Sequence, residues 1–160
     1  MIWAALLAGA LTLSPAQVEP PPLIATVKET GPEASAYMGR YYAPQHEAFR
    51  KCVAQREGRH QYWVTGSNGM YQGTYQMTVA LARGAVWMMA KEWRHEYGPA
   101  RAKAMRQALH DTKPTKWSRE IWDQAFWTVL NWEGPLSGAH HWAGGRFHCQ
   151  PGMSTYGGNR

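Results

Sequence analysis

An apolar stripe in the second half of the chain constrains the fold most strongly. Apolar side chains recur there at the three- and four-residue spacing of a helix, at Ile121, Trp122, Ala125, Phe126, Val129 and Leu130. Ser118 is a suitable N-cap, so we predict a helix from Ser118 to about Asn131. A chain of 160 residues is long enough to bury a modest core without a metal, which is consistent with one domain.

Three further helices are predicted upstream, between breaks that are rich in glycine and proline. They run over about residues 44–57, from Thr74 or Thr78 to about Trp93, and over about 100–110. Glycines and aromatic residues over 58–75 predict a loop or a small twisted hairpin between the first two helices. The predicted fold class is therefore mainly α, an α+β domain with at most a small hairpin.

The first 43 residues differ in character from the rest of the chain. Residues 1–16 hold an apolar run that is too short to span a bilayer and matches the length of a secretory signal core. We predict a cleaved signal, or alternatively a retained apolar anchor that touches the membrane only transiently. The prolines of residues 17–43 predict an extended linker, which places the folded domain at 44–149 and a flexible tail at 150–160.

Two cysteines, Cys52 and Cys149, lie far apart in the sequence. No CxxC motif is present, which argues against a thiolate zinc site. An even pair in an exported chain predicts one disulfide, whereas two free thiols are expected in a cytosolic protein. Closing so long a loop stabilises a fold by about 4–5 kcal/mol in the chain-entropy model.

Composition narrows the classes of partner. The nine tryptophans exceed the four or five that the core of this domain would absorb, so we expect an aromatic groove for a flat or ring-shaped ligand. A net charge of +6 favours anionic partners such as nucleic acid, anionic lipid or wall polymer, unless it serves solubility alone. The basic residues are spread from Lys51 to Arg119 without a dense block, so no nucleic-acid partner is predicted.

Acidic residues are few, and most have an ordinary explanation. Glu92 lies among basic residues, as on a solvated helix face, and Asp123 falls outside the apolar stripe and is expected to be exposed. Glu57 and the loop residue Glu133 remain as candidates for chemistry. Glu57 follows Phe49 and Val53 at helical spacing, so its carboxyl is expected to be partly desolvated, which favours a protonated acid.

Two segments carry a resemblance to a known group of enzymes. Residues 57–62 (EGRHQY) and 69–77 (GMYQGTYQM) resemble the lysozyme-like wall-cleaving families, namely the lytic transglycosylases and the resuscitation-promoting-factor-like domains, including phage-borne forms. These families show a Glu-Ser pair followed, about twenty residues later, by a Gly-Leu-Met-Gln type segment. Residues 129–131 followed by Gly134 resemble their Ala-Tyr-Asn…Gly element, although Gly58 stands where they have serine.

The resemblance implies a lysozyme-like fold over residues 44–149 and cleavage of the β-1,4 link between N-acetylmuramic acid and N-acetylglucosamine. Glu57 would act as general acid and then as base, without metal or cofactor, and Cys52 would pair with Cys149 as in related secreted domains. The substrate would be held by Gln76, Tyr75, Tyr71, Asn131, Trp63 and Trp142. A secreted or wall-facing monomer acting on peptidoglycan strands is expected, or a phage virion component.

Other interpretations remain open from the sequence. Glu133 could serve as a second carboxylate, and either water or the muramic 6-hydroxyl could attack, giving a hydrolase or a transglycosylase. His140, His141 and His148 could bind a metal, and Cys52 could act as a nucleophile beside a histidine. A non-catalytic peptidoglycan- or glycan-binding module could use the same aromatic groove. Gln76 could order its loop, and Asn131 could cap its helix. Tyr71 and Tyr75 could simply pack the hairpin, and Trp63 and Trp142 could equally belong to the core.

Overall fold

The structure is a computed structural model that describes residues 18–142 and 149–153. This part of the chain is mainly helical with one small sheet, as predicted. Its helices and strands are α1 (Glu47–Gly58), β1 (Thr65–Gly66), β2 (Tyr71–Gln72), β3 (Met77–Thr78), α2 (Val79–Tyr97), α3 (Pro99–Asp111) and α4 (Arg119–Asn131). Short 3-10 turns lie at Pro44–His46, Ser67–Gly69, Pro114–Lys116 and Ala139–His141.

The helix starts follow from their capping residues. The Ser118 hydroxyl accepts a hydrogen bond from the Ile121 amide at 3.3 Å, which begins α4 at the predicted place. Thr78 caps α2 in the same way, with 3.1 Å between its hydroxyl and the Leu81 amide. Of the two starts predicted for that helix, the later one is therefore confirmed.

Helix α4 lies at the centre of the core. Every residue from Ile121 to Leu130 is buried, so the helix is covered all round rather than on one face. Helix α2 packs against both α3 and α4. Trp93, Trp117, Trp122 and Trp127 are fully buried and Trp142 is 4% exposed, so the core takes up five of the nine tryptophans.

The three short strands form an antiparallel sheet in the order β1-β2-β3. Thr65 pairs with Gln72, and Gln72 pairs in turn with Met77. This sheet is the small hairpin that the glycine-rich segment predicts. It carries the chain from the end of α1 directly to the start of α2.

The prediction of a linker is wrong for residues 18–43, which we call the N-terminal strap. The strap pairs with the main body through bridges between Ile24 and Trp117 and between Thr30 and Gln61. Its backbone also donates from the Ala25 amide to the Lys116 carbonyl at 2.9 Å. The prolines keep the strap extended, but its polar backbone groups bond to the folded body, so the domain begins well before residue 44.

A buried polar cluster joins the strap to the core. Asp123 is fully buried and accepts hydrogen bonds from the hydroxyls of Tyr62 and Tyr75 and from the Ala36 amide. The Arg50 guanidinium, also fully buried, lies 3.5 Å from the Asp123 carboxylate. The expectation that Asp123 is exposed is wrong, because these partners compensate its charge within the core.

A second buried carboxylate holds the strap to α2. Glu92 is 4% exposed and accepts a hydrogen bond from the Tyr37 hydroxyl at 2.7 Å and from the Arg40 amide at 2.9 Å. The Gln124 side chain donates to its other oxygen at 3.1 Å. The assignment of Glu92 to a solvated face is therefore wrong. Within residues 18–142 and 149–153, no helix has the length and apolarity needed to cross a membrane.

Candidate active site

Glu57 lies at the carboxyl end of α1, just before a sharp reversal of the chain. Arg59 and His60 adopt left-handed backbone angles, with φ of 52° and 56°, and their amides bond back to the last turn of the helix. The Glu57 side chain is 29% exposed. The expected partial burial of this carboxyl is thus confirmed, and the side chain still reaches solvent.

Arg56 is the immediate partner of this carboxyl. Its Nη2 and Nε atoms both lie 2.7 Å from Glu57 Oε1, and Nη2 also donates to the Trp142 carbonyl at 2.7 Å. A guanidinium at these distances interacts with the charged carboxylate. In this arrangement Glu57 is therefore part of an ion pair that connects α1 to the loop around Trp142.

The disulfide strengthens the same connection. Cys52 and Cys149 form the predicted bond, with their Cα atoms 5.6 Å apart. Cys52 lies within α1, five residues before Glu57, so the bond ties the C-terminal segment to the helix that carries the acid. The bonded sulfur is not a free thiolate, so the proposal of a Cys52 nucleophile is wrong.

Close packing at position 58 accounts for glycine there, where the families that the sequence resembles have serine. A Cβ atom at this position would lie 2.5 Å from Thr74 Cα and 2.7 Å from the Thr74 carbonyl oxygen. The end of α1 therefore packs directly on the backbone of the loop between β2 and β3. Any residue larger than glycine would push this loop away from Glu57.

Gln76 and Tyr71 remain at the surface of this sheet. The Gln76 side chain is half-buried and donates to the Gly73 carbonyl at 2.8 Å, so it orders the tight loop that contacts Gly58. Tyr71 lies on β2 and is 36% exposed. The loop-ordering alternative for Gln76 is therefore observed, and Tyr71 is free to contact a ligand.

The prediction that Tyr75 and Trp142 line a sugar groove is wrong. Tyr75 is fully buried, and its hydroxyl is taken up by Asp123 and Arg50. Burial raises the pKa of this phenol well above its ordinary value, so the hydroxyl is a neutral donor. Trp142 is 4% exposed and donates from Nε1 to the Tyr75 carbonyl at 2.9 Å. Both rings belong to the core that supports the site.

Asn131 also has a structural role. Its Nδ2 donates to the Tyr41 carbonyl at 2.8 Å, and its Oδ1 accepts from the Leu136 amide at 2.9 Å. Asn131 is the last residue of α4, so these bonds fix the loop that follows the helix and attach the strap to it. Both polar atoms of this side chain take part in bonds within the fold, so the role that the structure shows for Asn131 is structural.

Trp63 lines a depression of about 290 Å³ between the strap and the loop before α4. The Lys28 ammonium lies 5.4 Å from the centre of its ring, and Lys116 and one carboxylate, Glu29, also line the depression. Trp63 is half-buried, with part of its ring open to solvent. An aromatic face flanked by ammonium groups suits a sugar that carries a carboxylate. Glu57 does not line this depression.

Glu133 lies in a different depression, of about 250 Å³, together with Trp132, His140 and His141. The two imidazole rings are 4.2 Å apart. Burial and then the neighbouring His140 lower the pKa of His141. Among residues 18–142 and 149–153, no group of three or more His, Cys, Asp or Glu side chains is placed to hold a metal, and His148 lies outside these ranges.

Comparisons with known proteins do not extend this description. No family model, curated protein or solved structure matches this chain. The resemblance to wall-cleaving enzymes therefore depends on the residues and geometry given above.

The roles of Arg56 and Lys28 in the two sites were not predicted from the sequence. Arg56 adjoins Glu57 in the sequence, but side chains at successive helical positions do not normally face each other. Lys28 lies in the segment that was predicted to be a linker, so no site was expected there. Neither pairing therefore follows from sequence spacing, and the contact of Lys28 with Trp63 depends on how the strap folds back.

Proposed function

We propose that this protein cleaves the β-1,4 glycosidic bond between N-acetylmuramic acid and N-acetylglucosamine in peptidoglycan, with Glu57 as acid and base. One observation carries the proposal. The helix end that bears Glu57 packs through Gly58 onto the Gly73–Met77 loop, so the two segments that resemble wall-cleaving enzymes lie against each other. The Glu57 side chain, which is 29% exposed beside this loop, is accessible to a glycan strand.

In the first step, Glu57 gives a proton to the glycosidic oxygen as the bond from that oxygen to the sugar C1 breaks. The ion pair with Arg56 has to open before this step, because the guanidinium occupies Glu57 Oε1 at 2.7 Å. When the substrate enters, an oxygen of the sugar or of its peptide stem would replace the Glu57 carboxylate as the partner of Arg56. Arg56 is thus a positioning residue in this scheme.

A single-acid scheme fits the site better than a pair of carboxylates. Glu133, the other candidate, lies in the depression lined by Trp132 and the two histidines. The N-acetyl oxygen of the substrate would then attack C1 and stabilise the cation. Glu57 would next remove a proton from water or from the muramic 6-hydroxyl, whose oxygen displaces the N-acetyl oxygen at C1.

The proposal also accounts for the disulfide. Such bonds persist outside the reducing cytosol, where peptidoglycan is found. We therefore propose a secreted or wall-facing location, in a bacterium or on a phage particle.

The test is product release from purified peptidoglycan by the wild type, Glu57→Gln and the matched control Glu133→Gln. Wild type and Glu133→Gln should release muropeptides, and Glu57→Gln should not. Mass spectrometry distinguishes 1,6-anhydromuramic ends, formed by a transglycosylase, from reducing ends, formed by a hydrolase. Equal release by wild type and Glu57→Gln would remove Glu57 from the chemistry.

A glycan-binding module is the second candidate, and the depression at Trp63 favours it. Lys28 and Lys116 beside an aromatic face can hold an acidic sugar without any reaction. Under this alternative the wild type sediments with peptidoglycan but releases no soluble fragments. Trp63→Ala would then abolish sedimentation, whereas Glu57→Gln would leave it unchanged.

A further inference from the structure

The segment of residues 79–116, which comprises helices α2 and α3 and the turn after them, accounts for most of the net positive charge of this protein. Residues 79–116 contain eight Lys or Arg and three Asp or Glu, a net charge of +5 against +6 for the whole chain. One of the three acids, Glu92, is buried and bonded within the core. The solvent side of these two helices is therefore strongly basic.

An exposed tryptophan lies at the centre of this surface. Trp87 on α2 is 60% exposed, and the Arg106 guanidinium of α3 lies 3.8 Å from the centre of its ring. Arg83 lies one helical turn from Trp87 on α2, and His110 lies one turn from Arg106 on α3. These four residues line one depression. We call this set, Arg83, Trp87, Arg106, His110 and the neighbouring Lys113, the basic hairpin face.

The basic hairpin face continues into a wider depression of about 460 Å³. Arg83, His110 and Lys113 line it together with backbone and hydroxyl groups of the loop after α3. Asp111 is the one acid in this lining, and its carboxylate accepts two hydrogen bonds from Gln107 and contacts His110. The other charged side chains of the lining, Arg83 and Lys113, are both positive.

We propose that the basic hairpin face docks on an anionic lipid bilayer. Lys and Arg side chains bind lipid phosphates, and tryptophan prefers the boundary between headgroups and acyl chains. Val18, the first described residue, also lies against the helix pair of α2 and α3, since its carbonyl is 3.5 Å from Nη1 of Arg101 on α3. The apolar run of residues 2–13 is a few residues upstream of that point.

Nucleic acid offers the same phosphates but is less favoured by these observations. It has no boundary between headgroups and acyl chains for the exposed Trp87, and no apolar layer for residues 2–13 in the uncleaved chain. Docking on lipid would hold the protein at the membrane surface, and it does not depend on whether Glu57 cleaves glycan.

The experiment is sedimentation of the full-length protein with vesicles of phosphatidylcholine alone and of three parts phosphatidylcholine to one part phosphatidylglycerol. The ratio of the two partition coefficients removes the contribution of the apolar run, which inserts into either lipid. Each Lys or Arg at an anionic surface contributes a factor of about five to partitioning. The double variant R83Q/R106Q should therefore lower the ratio by roughly 25-fold. The matched control K51Q/R59Q, which removes the same charge from α1 and its C-cap, should lower it less than about threefold.

Two further measurements sharpen the result. Raising the salt from about 0.1 M to about 0.5 M should abolish the preference for anionic vesicles. Quenching of tryptophan fluorescence by brominated lipid should decrease in Trp87→Phe, which keeps an aromatic ring in place. Equal losses in the two double variants, or equal binding to both kinds of vesicle, would overturn the proposal. Tighter binding of single-stranded DNA than of anionic vesicles would instead assign the face to nucleic acid.

Discussion

The buried carboxylate of Asp123 gives the sharpest prediction about stability. Replacement by asparagine keeps the shape of the side chain but removes its charge. One Asp123 oxygen accepts from Tyr62 and Tyr75 and the other accepts from the Ala36 amide, whereas asparagine has a single acceptor oxygen. The variant would therefore leave either the Ala36 amide or the two tyrosine hydroxyls without an acceptor.

The magnitude follows from these contacts. Removing one partner of a buried ion pair costs about 3–5 kcal/mol, because the other charge stays buried. Arg50 keeps a second carboxylate, Glu47, at 2.8 Å, which places the charge term at the lower end of that range. The donor left without an acceptor adds about 1–3 kcal/mol. We expect Asp123→Asn to lower the free energy of unfolding by roughly 4 kcal/mol.

Urea unfolding of the oxidised protein, followed by circular dichroism, measures this loss. The control is Glu33→Gln, which breaks an ion pair with Arg119 at 3.0 Å. The Glu33 side chain is 61% exposed, so this pair contributes less than about 1 kcal/mol. If Asp123→Asn destabilises the protein by no more than this control does, the buried cluster does not hold the strap to the core.

Three further predictions concern stability and pH. Replacing Cys52 and Cys149 by serine should lower the free energy of unfolding by about 4–5 kcal/mol in a urea titration, and a loss below about 1 kcal/mol would show that the bond hardly constrains the unfolded chain. Gly58→Ser should cost about 1–3 kcal/mol, because its Cβ would lie 2.5 Å from the facing backbone. The control Gly84→Ala, with nothing within 4 Å, should not destabilise the protein. Burial lowers the pKa of His60 below its ordinary 6.5, so the unfolded chain is protonated first and stability is lost as the pH falls below 6.5. Asparagine tolerates the φ of 56° at this position, so His60→Asn should lose less unfolding free energy than the wild type between urea titrations above and below that pH. An equal loss in the two proteins would exclude His60 as the source of the pH dependence.

The helices could be predicted from the sequence because local signals determine them. Ser118 and Thr78 act as caps in the structure, and the apolar repeat of α4 ends at Asn131 as expected. The small sheet also follows from its glycines, which permit the tight loops between two-residue strands. These features depend on residues that are close together in the chain.

The errors concern charged or aromatic residues whose partners are distant in sequence. Asp123 and Glu92 were expected to be exposed because charged side chains usually are, yet both accept hydrogen bonds from the strap. Tyr75 and Trp142 were expected in a groove because of the resemblance, yet they fill the core under it. No periodic pattern reveals that a proline-rich segment folds back onto the helices that follow it.

The candidate site could be predicted in part. The position of Glu57 at a helix end and its partial burial follow from the spacing within α1. The ion pair with Arg56 and the contact of Gly58 with Thr74 depend on the arrangement of the loops and require the structure.

The release of soluble muropeptides from purified peptidoglycan by Glu57→Gln tests the central claim most directly. Loss of a general acid lowers rates by about 10²–10⁴-fold. We therefore predict a decrease in that range, with the circular dichroism spectrum and binding to peptidoglycan unchanged. Release by Glu57→Gln at the rate of the wild type would contradict the account.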